Sequence, residues 1–592
     1  MKPTSFFLLA ACIAAASVLP VRAADLPPGI SAQPLQPLSK GDGKTLFAEL
    51  GADATGLAVV NKMDVNHPMN YLYHSGMTCG GVAVADFDGD GQPDIFFGGS
   101  NGPHKLYRQT GKLKFEDITD KSGIVKDAIG WSCGVAVGDV NGDGRPDIYI
   151  SNYERANQLF LNMGKGPKGE AVVFKEVEKA GGLDAVDCSH SAAFADYDGD
   201  GRLDMYLLTN RIEDPAGTPT EMPIDKHPDG SVTLKPGAEK FYQVWRYDYD
   251  NWGTEAAGTP DHLYHNEGNG PDGAPIFKDV SLQAGIIGRG DGLSVTWWDY
   301  NGDDRPDIYV ANDFGQSDKL YRNNGDGTFT DVAAEAFPHC PWFAMGADFG
   351  DVNNDLLPDM LVADMSSTSQ YKSKTTMGIM GGSDLKRAYR SAPMQIMQNA
   401  LYINTGTGRF LEGARLFKTS STDWTWAVKF ADFDCDGWQD IYFTNGISRH
   451  MNNSDKKITV EMLAGKHMFD FFKEGDMRKE EHRAYRNTHH DKFEEVSKDW
   501  GLNHVGVAYG AAYADLDRDG DLDIVVVNLE EPNSVYRNDA QEGHRLLVKC
   551  IGTKGNSQGL GLHDIWMTYD FDAVHGTGAT SRLYLYADGH VE

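Results

Sequence analysis

The chain has 592 residues, a formal net charge of −32, 11% aromatic residues and 67 glycines. That length allows a large core or several domains, and the acidity excludes a nucleic-acid partner, because a phosphate backbone wants a basic face. Nor does the acidity mark disorder, since 27 of the 86 acidic residues sit in seven loops of one design.

At the N-terminus Lys2 supplies a thin positive region, Phe6 to Leu19 is apolar, and Val21-Arg22-Ala23 fits a small-residue cleavage site. This predicts a signal peptide over residues 1–23 and export to the periplasm, the outer surface or the extracellular space. The apolar run is too short to favour a membrane span, and no later run reaches about 18 apolar residues, so no transmembrane segment is expected. Leu9-Ala10-Ala11-Cys12 also matches a bacterial lipoprotein box, so a lipid anchor at Cys12 is a minority reading. Residues 24–43 read as a linker. Cys79, Cys133, Cys188, Cys340, Cys435 and Cys550 remain after processing. Disulfides and free, half-buried thiols both stay open for them.

From residue 86 the chain repeats one nine-residue phrase, Asp-x-[Asp/Asn]-x-Asp-x-x-x-Asp. The first copy carries Asp86, Asp88, Asp90 and Asp94, and the second Asp139, Asn141, Asp143 and Asp147. The third carries Asp196, Asp198, Asp200 and Asp204, and the fourth Asp299, Asn301, Asp303 and Asp307. Asp351, Asn353, Asp355 and Asp359 make the fifth, Asp432, Asp434, Asp436 and Asp440 the sixth, and Asp515, Asp517, Asp519 and Asp523 the seventh. Oxygens at positions 1, 3, 5 and 9 of a tight loop suit a hard cation, and glycines at positions 4 and 6 let the backbone turn. Several structural calcium ions are expected. Loop five lacks both glycines, and Leu356 at its position 6 predicts a departure from the shared backbone.

Short apolar runs flank each loop, such as Val82-Ala83-Val84-Ala85 before the first and Ile95-Phe96-Phe97 after it. A third run follows in the style of Leu320-Tyr321-Arg322-Asn323, then a fourth such as Phe329-Thr330-Asp331-Val332. Four antiparallel strands per repeat make one blade of a β-propeller, so the fold class is all-β with seven four-stranded blades. Loop starts are separated by 53, 57, 103, 52, 81 and 83 residues, which places inserts near 211–258, 366–396 and 446–482, polar and with few strand signals. The seventh repeat lacks a clear fourth strand. Phe47-Ala48-Glu49-Leu50 copies the missing pattern and is expected to close blade seven beside Tyr536, which ties the ring together.

These loops, with their Leu-Tyr-x-Asn and Phe-x-Asp-Val strands, resemble FG-GAP/VCBS repeats, the propeller repeats of integrin alpha chains, over residues 44–540. His544 to Asn556 and Gly559-Leu560-Gly561 resemble the start of an ASPIC/UnbV domain, giving a short β-rich extension at 541–592. From Leu562 the sequence leaves the usual continuation of that domain, so the segment reads as shortened or altered. The whole resembles the bacterial relatives of cartilage acidic protein, which implies export and calcium binding.

If each loop closes the far end of a first strand, the strand starts ring the opposite mouth. Six residues before each loop stand Gly80, Cys133, His190, Leu293, Met345, Trp426 and Tyr509. Cys133, His190, Met345, Trp426 and Tyr509 are the candidates for a ligand mouth, against the plainer reading that they pack the funnel. Cys133, Cys188 and His190 could hold a soft metal, or neighbouring cysteines could pair. Arg289-Gly290-Asp291 spells an integrin-recognition tripeptide and carries little weight beside a first strand. Asn452-Asn453-Ser454 is a glycosylation sequon; His450, His467, His482, His489 and His490 fall within the blade-six insert or after it, and His489-His490, beside a turn, read as a solvated loop. No catalytic residue is identified. The expected function is an exported calcium-binding propeller that recognises a protein or carbohydrate. The alternative is an enzyme acting on a small molecule or polysaccharide at the funnel mouth.

Overall fold

The computed structural model describes residues 35–543, apart from 42, 125–129, 167–170, 249–250, 378–379, 457 and 490–491. The signal peptide, Cys12, Cys550, His490 and the segment 544–592 lie outside the described residues.

Alternating apolar residues bounded by glycine-rich turns produce seven four-stranded antiparallel sheets among the described residues. Blade 1 comprises Val82–Ala85, Asp94–Phe97, Lys105–Gly111 and Lys114–Asp117. Blade 4 repeats it with Gly292–Trp298, Asp307–Asn312, Lys319–Asn323 and Phe329–Asp331. The second strands, such as Asp147–Asn152 and Asp440–Asn445, are buried throughout, covered on both faces by neighbouring blades. First strands touch first strands in a closed cycle from Val82–Ala85 round to Ala508–Ala514 and back, so they line the axis of a seven-bladed β-propeller.

The ring closes as expected. Phe47–Leu50 pairs antiparallel with Ser534–Asn538, with Phe47 opposite Asn538 and Glu49 opposite Tyr536. Phe47 is buried against Phe433 and Trp500, at ring-centroid distances of 5.9 and 6.3 Å. The linker stretch is tied down too. The Ser39 amide donates to Asp519 Oδ2 at 2.6 Å and its hydroxyl to Asp517 Oδ2 at 2.5 Å.

A second seam runs around the whole ring. The asparagine ending each Leu-Tyr-x-Asn strand donates its side-chain amide to the carbonyl at position 2 of the preceding blade's acidic loop. These bonds join Asn162 to Phe87, Asn266 to Val140, Asn323 to Tyr197, Asn404 to Tyr300, Asn487 to Val352 and Asn538 to Phe433, at 2.7–3.0 Å. In blade 1 the longer Gln109 takes the role and reaches Leu516 of blade 7 at 2.9 Å. The same amide also caps a carbonyl of its own loop, Pro306 in the case of Asn323 at 3.1 Å. Replacing Asn323 by alanine strands two carbonyls, at about 1–3 kcal/mol for each buried group left unpaired. We expect Asn323→Ala to lower the urea midpoint by the equivalent of about 2 kcal/mol or more. A midpoint equal to that of the parent would show that the seam carries no load.

Three blades are interrupted between their second and third strands, on the face opposite the acidic loops. Blade 3 carries two hairpins, Ile224–Lys226 with Val232–Leu234 and Tyr242–Asp248 with Asn251–Ala256. Strands here run against the sequence reading of a strand-poor insert. Blade 5 carries the helices Gln370–Thr376 and Gly382–Arg390. Blade 6 carries the short helix Val460–Leu463 and the 3-10 turn Met468–Phe471.

Candidate functional site

The acidic loops share one hydrogen-bond scheme. The position-1 carboxylate accepts the backbone N–H of position 6, as Asp86 does from Gly91 at 2.9 Å and Asp432 from Gly437 at 2.9 Å. The position-9 carboxylate accepts one N–H from position 2 and one from the third strand. Asp94 takes Phe87 at 3.1 Å and Gln109 at 2.8 Å; Asp523 takes Leu516 at 2.9 Å and Asn538 at 2.8 Å. Loop five keeps this scheme, with Leu356 N–H on Asp351 at 2.8 Å and Leu356 itself at φ 70°. The expected departure of its backbone does not occur. The two carboxylate anchors hold the turn and the leucine accepts a left-handed conformation. Asp304 in loop four, and Cys435 and Arg518 at position 4 of loops six and seven, do the same, at φ 62°, 59° and 62°.

Carboxylate oxygens converge to within 4.8 Å of one another in the loops with aspartate at all four positions. The groups are Asp86, Asp88 and Asp90; Asp196, Asp198 and Asp204; Asp432, Asp434 and Asp440; and Asp515, Asp517 and Asp523. Burial, reinforced by the neighbouring carboxylates, pushes the position-9 acids up, Asp94 to about 7, Asp147, Asp307 and Asp359 to about 8, and Asp204 to about 9. Asp440 and Asp523 are raised for the same reasons. Buried Oδ1 atoms of Asp86, Asp434, Asp515 and Asp517 have no hydrogen-bond partner. Orphaned hard oxygens beside anions of raised pKa fit a divalent cation, which would supply the missing partner and positive charge. Each four-aspartate loop also meets a nitrogen-bearing side chain at position 3, and in loops three, six and seven at position 5 as well. Lys165 lies 3.9 Å from Asp88, His265 3.1 Å from Asp198, Arg486 2.6 Å from Asp434 and Lys112 3.1 Å from Asp517. Four carboxylates exceed the charge of one divalent ion, and Lys165, Arg486 and Lys112 offset part of the remainder in their loops.

At the opposite end the collar residues do come together, but under a cover. The segment Asn70–His74 and the residues after it cross the funnel axis. Met77 is fully buried in one cluster with Cys133, Met345 and Trp426, and Tyr509 packs against that cluster. The Trp426 and Tyr509 rings pack at a tilt of 37°, with centroids 4.5 Å apart. A Cβ on Gly76 would lie 2.8 Å from Leu293, 3.0 Å from Trp426 and 3.8 Å from His190 Nε2, so a larger residue here would make the Leu293 side chain shift. The Trp131 indole donates to the Met77 carbonyl at 2.5 Å, and the Ser448 hydroxyl donates to the Tyr73 carbonyl. Cys133, His190, Met345 and Trp426 are therefore buried side chains, and burial holds the His190 imidazole down at about 4. The sequence offered no sign of this cover, because residues 70–79 carry no repeat pattern.

Other motifs resolve locally. Asp291 is buried and paired with Arg211 at 2.8 Å, so the Arg289-Gly290-Asp291 tripeptide is not displayed. His482 is buried, with its Nδ1 3.1 Å from the Tyr442 hydroxyl, and His489 sits 2.9 Å from Asp436, stacked on Trp438. His467 stacks on Tyr71 at 4.3 Å. His489, with 41% of its side chain exposed, stays at the surface as a solvated loop residue, whereas His482 is buried. Cys79, Cys133, Cys188, Cys340 and Cys435 are buried, and none forms a disulfide among the described residues.

Blade geometry and loop chemistry together define a β-propeller of FG-GAP type. The FG-GAP-like repeat family matches residues 86–150, 139–207, 299–362 and 391–443. The chain carries FG-GAP repeats, and it is similar to cartilage acidic protein 1. It is 24% identical to the human protein over 480 residues, covering 77% of this chain and 58% of that one. The mouse protein is 23% identical over 477 residues, with 77% and 59% covered. The chain thus spans under two thirds of the length of these relatives. Among solved structures, one of an Agrocybe aegerita lectin, described for recognition of non-reducing terminal N-acetylglucosamine, aligns at 15% identity and a TM-score of 0.35, over 76% of this chain and 85% of that one. No helix among the described residues is long and apolar enough to cross a membrane.

Proposed function

We propose that this protein is an exported, calcium-stabilised propeller that recognises a protein or carbohydrate ligand through the insert-bearing face, with calcium in a structural role. The observation that carries this reading is the cover over the funnel. Met77 and its neighbours fill the mouth, so the surface left for a partner is the one raised above it by the inserts of blades 3, 5 and 6. On the blade 5 helices Tyr371 is 76% exposed and Tyr389 63% exposed, and on blade 6 Met462 is 44% exposed. Aromatic and methionine side chains held out on short helices are the usual anchors of a recognition surface. The repetition of the acidic loops supports a structural ion, since a catalytic metal needs one singular site with an open position. The relatives, cartilage acidic protein 1 of human and mouse, support an extracellular setting.

The test is binding of the calcium-loaded protein to arrayed glycans and immobilised extracellular proteins, compared with Tyr371→Ala/Tyr389→Ala. We expect the double variant to lose at least ~10-fold in affinity, as when central aromatic anchors are truncated. Equal binding by both proteins would remove the insert face from the reading. Turnover of a small molecule or polysaccharide, lost on substituting funnel residues, would favour the enzymatic alternative instead.

A further inference from the structure

Among the described four-aspartate loops, the seventh has its converging group, Asp515, Asp517 and Asp523, buried throughout, at 6%, 5% and 0% exposure. The corresponding groups of loops one, three and six each keep members at least partly open to solvent. The difference lies in a strap from the N-terminal side of the chain. Ser39, itself 6% exposed, rests on loop seven, and its carbonyl accepts the Gln541 side-chain amide at 2.8 Å. Lys112, in the turn between the third and fourth strands of blade 1, ties the strap down by donating to the Pro37 carbonyl at 3.2 Å.

The strap's donors fall on one set of oxygens. The Ser39 hydroxyl donates to Asp517 Oδ2 at 2.5 Å and its amide to Asp519 Oδ2 at 2.6 Å, and Lys112 Nζ lies 3.1 and 3.5 Å from the same two atoms. Asp515 Oδ2 accepts the Gly520 amide at 3.0 Å. Oδ1 of Asp515 and Oδ1 of Asp517 are left buried with no hydrogen-bond partner. Two such oxygens are costly, and they belong to a group whose carboxylates converge to within 4.8 Å, so a cation is the fitting partner. Donors that stood in for the ion would satisfy those oxygens. Ser39 and Lys112 instead take the other oxygen of Asp517. An outer partner on one oxygen of a carboxylate fixes the direction of its second.

We propose that Ser39 is a positioning residue for a divalent cation in loop seven, and that this ion and the strap at residues 37–41 hold each other in place. The inference rests on the reading of the acidic loops as calcium sites. Ser39 orients Asp517 and Asp519, and the strap closes the solvent path to the site. The loop-seven ion therefore exchanges more slowly than the ions of the partly open loops. By linkage, the ion strengthens docking of the strap by the same factor as the strap strengthens the ion.

The experiment counts bound calcium by equilibrium dialysis and follows its release into a fluorescent chelator by stopped flow. The parent, Ser39→Ala and the loop-six variant Asp434→Asn are compared. Trypsin cleavage after Lys40, an exposed residue of the strap, is timed in calcium for all three. The parent should release one ion in a slow phase, and Ser39→Ala should speed that phase by at least ~10-fold. Its faster phases, from the other loops, should stay as in the parent and show that the fold is retained. Lys40 cleavage should accelerate in Ser39→Ala, and Asp434→Asn should leave both the slow phase and the cleavage unchanged. A parent that binds no calcium would overturn the calcium reading and this inference together. Calcium bound by the parent, with slow phase and Lys40 cleavage identical in Ser39→Ala, would overturn the inference alone. So would an additional or tighter ion in Ser39→Ala, since the strap would then be standing in for the cation.

Discussion

Excess chelator should lower the melting temperature of this protein by roughly 10 °C or more, and the loss should grow with pH. Each ion that binds only the folded chain contributes about 2.7 kcal/mol at a hundredfold excess over its Kd, so four well-formed loops contribute about 11 kcal/mol. For a chain of this size each kcal/mol moves the midpoint by about 1–2 °C, extrapolating from smaller domains. The sign of the pH dependence follows from the position-9 acids. In the chelated protein the pKa of Asp94 is raised to about 7 and that of Asp204 to about 9, against an ordinary value of 3.8. The folded form then binds more protons than the unfolded form, so its stability is greatest in acid and falls as pH rises from about 4 through 7–9. In the calcium-loaded protein the ion displaces these protons, so folded and unfolded forms bind nearly equal numbers of them, stability is nearly flat over the same window, and the gap to the chelated protein widens as pH rises. Calorimetry at pH 5.5 and pH 8, with and without chelator, reads both slopes. Identical midpoints in chelator, or a gap that narrows toward pH 8, would rule out structural cations in these loops.

The second large effect is at the ring closure. Deleting residues 35–50 should convert a closed ring into an open one with Ser534–Asn538 as a bare edge. Phe47 alone is buried between Phe433 and Trp500, and Phe47→Ala should cost about 3–5 kcal/mol in denaturant midpoint. The deletion adds loss of the strand pairing, the Ser39 contacts with loop seven and the protection of an edge strand, which is a template for self-association. Gel filtration with light scattering should show higher-order species for the deletion and the parent elution position for Phe47→Ala. A deletion variant that elutes and melts like the parent would mean that the ring is held by the Gln109–Leu516 seam without its N-terminal strand.

Loops and strands were legible in the chain because their signals are local. Oxygen spacing over nine residues, apolar alternation over four to six and turn glycines recur seven times, and repetition separates them from chance. The closing strand was legible for the same reason, since Phe47-Ala48-Glu49-Leu50 copies a pattern written elsewhere. The amide seam was half visible. Its asparagines stand in every Leu-Tyr-x-Asn strand after the first, but their partner lies one blade away, 75 residues apart for Asn162 and Phe87. In loop five the intrinsic backbone preference of Leu356 points away from the shared turn, and the carboxylate anchors that override it act through contacts the local sequence does not show.

The sequence by itself determined the architecture, the ring closure and the positions of the acidic loops, because each rests on short-range periodicity multiplied by repetition. It also placed Cys133, His190, Met345, Trp426 and Tyr509 in one collar, since they share a phase relative to the loops. Only the tertiary structure decided that the collar is sealed. The residues that seal it, from Tyr71 to Met77, belong to no repeat, and their burial depends on contacts with blades 2, 3, 4, 6 and 7 that no local pattern encodes. The same long-range packing turned Asp291 inward onto Arg211 and brought Met77 against Cys188, 111 residues away in the chain.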